Sequence, residues 1–221
     1  MNHLKNLSLF CIVSFIAFII NGCCVTKPNC DPEGGNFTFG PELSYRISTF
    51  HGEDAKDDDI KSIGSIGFGG YVHWVFCENY PKMGMYSGLF YNQFGGKFEY
   101  SSDEVSKNRL HYLSIPFTYT YDIYEGLRVE VGPDISFLLA AKEKYEFMGE
   151  TETYNIKEDV SKVQIGYNVA LSYTHEETGL AGFIRYNGGF TKMPSSDYDY
   201  KAYNGGFSFG ARYRINHLFN K

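Results

Sequence analysis

From residue 36 onward the chain is written largely in a two-residue period. In Tyr112–Ile123, one parity holds Leu113, Ile115, Phe117, Tyr119, Tyr121 and Ile123. The other holds Ser114, Pro116, Thr118, Thr120 and Asp122. Successive side chains of a strand point to opposite sides, so alternation this strict predicts a strand with two unlike faces. The next segment repeats it, with Leu127, Val129, Val131, Ile135, Phe137 and Leu139 against Arg128, Glu130, Gly132, Asp134 and Ser136. A third places Val163, Ile165, Tyr167, Val169, Leu171 and Tyr173 against Gln164, Gly166, Asn168, Ala170 and Ser172. Weaker forms over 37–47, 64–77, 82–99, 180–190 and 204–215 bring the expected total to eight strands.

The connections alternate in length. Glu78–Pro81, Tyr124–Gly126 and His175–Gly179 are short, whereas Phe50–Ile63, Tyr100–Arg109, Ala141–Lys162 and Thr191–Tyr203 are long and polar. Short turns on one rim and long loops on the other are the signature of an all-β, eight-stranded antiparallel up-and-down transmembrane β-barrel. The face assignment follows from volume. Eight strands enclose a space only just wide enough for side chains to fill, and packing the Phe/Tyr/Leu/Ile set into it would overfill it. The polar parity is therefore expected inside and the apolar parity outside, as a belt that suits a bilayer and not water. With the N-terminus on the periplasmic side, the short turns are periplasmic and the long loops external.

That assignment puts Glu42, Arg46, His73, Asp122, Arg128, Glu130, Asp134, Arg185, Arg212 and Arg214 in the lumen. A self-neutralising set of ion pairs that plugs the barrel is the expected arrangement, and an ion path is its rival. Two aromatic girdles are expected on the outside. Phe37, Trp74, Phe76, Tyr121, Tyr173 and Tyr213 form the periplasmic one, and Phe68, Tyr91, Phe137, Tyr186 and Phe207 lie toward the other rim.

Composition sharpens the picture in two ways. The 221 residues are 43% hydrophobic and 21% charged, with 19 Phe and 19 Tyr against one Trp, which suits one β domain and no disordered chain. A net charge of −6 argues against nucleic acid as a partner, because the chain as a whole has no excess of cations to neutralise phosphates along a strand. The mean hydropathy of −0.30 looks soluble, but alternating strands average out on any such scale.

Residues 1–22 read as an export signal, with Lys5 ahead of an apolar run from Leu7 to Ile20 that is too short for a spanning helix. Residues 23–35 are then a periplasmic segment and 36–216 the outer-membrane barrel. Ile20-Asn21-Gly22-Cys23 resembles the cleavage box of bacterial lipoproteins, which implies lipidation of Cys23; cleavage nearby by the ordinary signal peptidase is the alternative. Cys30, just before the first strand, and Cys77, at the end of the second, share the periplasmic rim, so either a disulfide or two lone thiols follows.

Tyr112-Leu-Ser-Ile-Pro-Phe117 and Gly126-Leu-Arg-Val-Glu-Val-Gly-Pro-Asp-Ile-Ser-Phe-Leu-Leu139 together resemble the PorT-like outer-membrane barrel family of Gram-negative bacteria. Gly88–Tyr91, Gly95-Gly96 and Gly205–Arg214 also fit, so the resemblance extends over roughly 36–216 and is specific near 110–139. It implies an eight-stranded outer-membrane barrel, and its founding member takes part in protein secretion across that membrane.

Chemistry is sparse. No Cys/His spacing suits a metal, Asp57-Asp58-Asp59 lacks the alternation and glycine of a calcium loop, and no cofactor is expected. His111, with Ser106 and Glu104 in sequence reach, is the one weak catalytic constellation, and no catalytic residue is assigned. Tyr198, Tyr200 and Tyr203 offer either a recognition surface or a contact with headgroups. The expected role is a structural or interaction protein, with outer-membrane lipids around it and a protein partner at the external loops or the periplasmic rim. A small channel or a lipid-modifying enzyme is the alternative.

Overall fold

The computed structural model describes residues 36–53, 55, 60–77, 83–101, 103–194 and 201–215. Residues 1–35, with Cys23 and Cys30, lie outside these, as do Asp57–Asp59, Tyr198, Tyr200 and the side chains of Phe76 and Cys77. Among the described residues nine strands run in order: β1 (Asn36–His51), β2 (Ile60–Cys77), β3 (Met83–Ser101), β4 (Glu104–Tyr124), β5 (Leu127–Phe147), β6 (Glu150–Asn155), β7 (Val163–His175), β8 (Leu180–Gly189) and β9 (Tyr203–Tyr213). Every pairing is antiparallel. β9 closes onto β1, with Glu42 opposite Arg212, and β5 pairs with β7 past β6. Eight strands therefore form the ring. The ninth, β6, pairs with β5 alone among the described strands and stands outside it.

The faces follow the expected parity. Leu43 is 63% exposed and Phe68 52%, while Arg46 between like neighbours is 1% exposed. The outward set is a continuous apolar belt, and small polar residues such as Ser44, Thr118, Asn168 and Ser208 are buried inside. At one rim the connections are tight: Glu125-Gly126 joins β4 to β5, and 176–179 joins β7 to β8. Gly126 takes a φ of 76°, where a side chain would be strained.

Two expected loops are not loops. Tyr100–Arg109 is mostly strand, because β3 runs to Ser101 and β4 starts at Glu104. Ala141–Lys162 is largely a hairpin, β5 turning at Met148-Gly149 into β6. Both turn residues have positive φ, 48° and 85°, the handedness that matches the twist of paired strands. β5 leaves its last β7 partner at Phe137 and continues to Phe147. At ~3.3 Å per residue it rises roughly 30 Å along the strand beyond that partner. β3, β4, β5 and β6 thus form a sheet standing above a tall rim, opposite the turn rim. These segments become strands because their charges alternate and pair across the ladder, Lys107 with Glu146 at 3.2 Å for example.

The lumen also differs from expectation at its upper end. Above Arg46 the inward positions of β3, β4 and β5 are Phe94, Leu110, Tyr112, Leu138 and Ala141. With Phe50, Ala55, Val160, Met193 and Ala202 they form a buried apolar cap. Burying each large member is worth about 1.5–3 kcal/mol. The interior is layered, polar below and apolar above.

Candidate functional site: the lumen and the external sheet

Four charged side chains meet in the middle of the barrel. Glu42 comes from β1, Arg212 from β9, Arg185 from β8 and Glu130 from β5, which faces β1 across the ring. Arg185 donates to both oxygens of Glu42, at 2.9 and 3.1 Å, and Arg212 Nε donates to Glu42 Oε2 at 2.5 Å. The other two nitrogens of Arg212 reach Glu130 at 2.6 and 2.9 Å, so one guanidinium bridges two carboxylates. Tyr86 adds a bond to Glu42 at 2.5 Å and Ser172 one to Glu130 at 2.7 Å. The cluster balances two negative charges against two positive ones, and its short, partly bidentate bonds are the strong kind.

Aromatic rings hold the arginines in place. Arg212 lies 4.3 Å from the Tyr86 ring centroid and 4.6 Å from that of Phe183, and Arg185 is 4.6 Å from Phe183. Such contacts offset part of the lost hydration. Gly210 makes room, since a Cβ there would lie 2.8 Å from the Phe183 ring. Sequence reasoning missed Tyr86 and Phe183 as members of this site. The signal for Tyr86 was present as a break in the parity of the third strand, with Tyr86 and Phe90 on the polar side.

The remaining luminal residues are distributed rather than joined. Asp122 and Arg128 face each other across β4 and β5 and pair at 2.6 Å near the turn rim. His73 Nε2 lies 2.9 Å from Thr120 Oγ1. Asp134 accepts from Ser136 at 3.2 Å. Arg46 sits 4.2 Å from the Phe94 ring and donates to Asn187 at 3.4 Å, but its Nε and Nη1 have no partner among the described residues. Arg214 sits at the turn-rim end of the inward parity. It lies just past the end of β9, where the chain leaves the ladder, and it pairs with Glu176 of the 176–179 turn at 3.0 Å.

On the outer surface, Phe37 stacks on Trp74 at 5.7 Å, Phe68 packs on Tyr91 at 5.1 Å and Tyr186 on Phe207 at 5.0 Å. Tyr121, Phe137 and Tyr173 are exposed on the same face and Tyr213 is half-buried. The catalytic constellation is not assembled. His111 faces outward, with its Nδ1 2.5 Å from the Tyr91 hydroxyl, whereas Ser106 and Glu104 face inward and bond to Glu143 and Tyr145. Among the described residues no group of His, Cys, Asp and Glu suits a metal ion.

The sheet above the tall rim sorts its charges by face. Inward are Glu104, Glu143, Glu150 and Glu152, with Phe98, Tyr145, Phe147 and Tyr154. Outward are Lys61, Lys97, Lys107, Arg109, Lys142 and Lys144, with Glu99 and Glu146. Hydrogen bonds from Lys61 and Lys97 hold the Glu99 carboxyl down at about 2, and those from Lys144 and Lys107 lower Glu146. On the other face the bond to Glu104 pushes the Tyr145 phenol up to about 12.

Crystal structures of Ail, the attachment invasion locus protein of Yersinia pestis, are similar at 17% identity and a TM-score of 0.45, covering 80% of this chain and 98% of that one. Neisserial surface protein A gives 11% identity and a TM-score of 0.45, over 82% and 99%. No curated protein matches in sequence. The family model described as outer membrane protein beta-barrel domain matches residues 27–195. The chain belongs to that family, and its place is the outer membrane.

Proposed function

We propose that this protein is a closed outer-membrane barrel that works by interaction and not by conduction, with the tall rim outside the cell and the turn rim in the periplasm. One observation carries the reading: Arg212 bridges Glu42 to Glu130, from β1 to the strand facing it across the ring, and so ties the lumen shut at mid-height. The apolar cap above it adds a second barrier. Short turns on the periplasmic side and tall structure outside follow the usual build of such barrels. The stacked pair Phe37–Trp74 and the tilted pair Tyr186–Phe207 belong to the two aromatic girdles, where ring edges meet headgroups.

The working surface is the inward face of the external sheet. Its four glutamates and its tyrosines suit a basic protein segment, and the edge of β6 is one along which an extended chain can add as a strand. The resemblance of residues 110–139 to the PorT-like family supports a station in protein export across the outer membrane. Planar-bilayer recording tests the closed lumen: the purified barrel is expected to give no steady conductance, while paired Arg212→Ala and Glu130→Ala changes open one only when Phe94→Ala and Leu138→Ala also breach the cap. A stable ohmic current through the wild-type chain would overturn the reading in favour of a small channel. For the export role, a strain lacking the gene is expected to retain secreted proteins in its periplasm, and normal secretion from that strain would sink it.

A further inference from the structure

The outward face of the external sheet carries an ordered array of cations that neither the lumen nor the inward face explains. Four lysines stand directly opposite one another on four adjacent strands. Lys61 faces Lys97, Lys97 faces Lys107 and Lys107 faces Lys144. One step nearer the barrel, Arg109 faces Lys142. Like charges placed opposite across a ladder destabilise it, so a row four strands wide calls for anions. Glu99 serves Lys61 and Lys97, and Glu146 serves Lys107 and Lys144. Six cations against two carboxylates leave a surplus of four on this face among the described residues, in a chain whose net charge is −6.

Position identifies the missing anion. The array lies on the same sheet face as the apolar belt, directly above the row Tyr91, Leu113 and Phe137. Arg109 is four residues beyond Leu113, and Lys97 and Lys107 are six beyond Tyr91 and Leu113. At ~3.3 Å per residue and a tilt of ~40°, these steps lift the cations roughly 10 and 15 Å above the belt residues. That is the depth range of the polar headgroup layer.

We propose that this face is a binding site for the phosphate groups of outer-leaflet lipids. Arg109 and Lys142 meet the phosphates nearest the hydrocarbon, and the lysine row meets those further out. Glu104, Glu143, Glu150 and Glu152 lie on the opposite face, so among the described residues Glu99 and Glu146 alone oppose an anion here. The inference rests on the sheet register, on the lipid-facing belt and on the proposed placing of the tall rim outside the cell, and it stands whether or not the lumen conducts.

The test uses the full chain refolded in detergent, then mixed with phosphatidylcholine vesicles that contain or lack a bisphosphorylated glycolipid. The glycolipid retained after repurification is measured by mass spectrometry. The wild-type protein is expected to retain the phosphorylated lipid over phosphatidylcholine, and added salt is expected to weaken retention. Each headgroup-facing cation is worth about a fivefold gain, so the triple change Lys97→Gln, Lys107→Gln and Lys144→Gln lowers retention roughly a hundredfold. Removing the two acids, Glu99→Gln with Glu146→Gln, raises it, and this second variant decides the matter if the triple variant fails to fold. A control change Lys162→Gln, at a cation outside the lysine row and paired with Glu158, leaves retention unchanged. Equal retention by wild type and triple variant would overturn the proposal. Full competition by inorganic phosphate at matched concentration would also overturn it, since that outcome marks a free-phosphate site.

Discussion

The wall of the barrel and the sheet above its tall rim are built from the same strands with the same alternation, yet they distribute charge in opposite ways. Along the wall, Leu43, Phe68 and Phe137 face out, and Glu42, Glu130, Arg185 and Arg212 face in. Six or seven residues above the row Tyr91, Leu113 and Phe137 on β3, β4 and β5, the outward positions become Lys97, Lys107 and Lys144, and the aromatic rings move inside with Phe98 and Tyr145. A strand imposes only that its faces differ. The medium outside decides which face takes the charge: hydrocarbon rejects it, and a layer of phosphates and water accepts cations. The same contrast separates tight ion pairs from loose ones. The luminal cluster leaves its carboxylates about 2% exposed, so its bonds act without competition from water, whereas Lys144 at the rim is half exposed and screened by salt.

The largest effect therefore belongs to the lumen. Arg212→Ala removes three bonds and leaves Glu42 and Glu130 buried with too little positive charge. Orphaning buried charges of this kind costs about 3–5 kcal/mol. Urea unfolding of the barrel in lipid, followed by the fluorescence of Trp74, is expected to show that loss. Replacing the whole set, with Arg212→Met, Arg185→Met, Glu42→Gln and Glu130→Gln together, costs less than the single change, because no charge is stranded. If the fourfold variant falls below the single one, the cluster contributes net stability and not only specificity.

The division between wall and rim also explains what the sequence revealed. The ring of eight was legible because a bilayer enforces the period over ten or so residues, as in 112–123. The external hairpin was not, because Lys142-Glu-Lys-Tyr-Glu146 and Glu150-Thr-Glu-Thr-Tyr154 alternate charge with charge, which in one chain looks like a solvated loop. Its strands exist through partners that only the fold supplies, such as Glu146 for Lys107. Glu42, Arg185, Arg212 and Glu130 could be placed in the lumen from parity, but their convergence on one level depends on strand stagger, which a single strand does not encode. Phe94, Leu110 and Leu138 were harder still. They are apolar residues on the inner parity, and only the upper end of the lumen, away from the charges, gives them a reason to be there.

Arg46 sharpens the comparison within the lumen itself. It is as buried as Arg212, yet it forms no ion pair with a carboxylate among the described residues, and two of its nitrogens lack partners. Its ring contact with Phe94 resembles that of Arg212 with Tyr86. If pairing and not burial makes Arg212 indispensable, Arg46→Met is expected to change stability by less than about 1 kcal/mol, or to raise it, since a flexible apolar chain of similar length replaces an unpaired charge. The same urea titration measures it. A loss as large as that from Arg212→Ala would show that Arg46 is compensated over a longer range, with Asp134 the nearest candidate.

The smallest effects belong to the external sheet, and pH separates its two faces. The Glu99 carboxyl is held at about 2 by Lys61 and Lys97, below its unfolded value near 4.3, so its contribution is complete above that value and is lost as pH falls toward 2. Tyr145 behaves in the opposite sense. Its phenol is raised to about 12 by Glu104, so the inward face keeps this contribution below pH ~10 and loses it as pH climbs through 12. Both groups are half-buried in the external sheet, away from the lumen, so the shifts predict a local loosening of the hairpins and leave the barrel folded. Amide exchange in β5 and β6 at constant temperature is the measurement, corrected for the intrinsic pH dependence of exchange. Protection should hold between the two limits and fall outside them. Lys61→Gln with Lys97→Gln should move the acid limit upward while leaving the alkaline one in place. If both limits move together, the two faces are coupled through the sheet, and the sorting of charge between them cannot be treated as two independent surfaces.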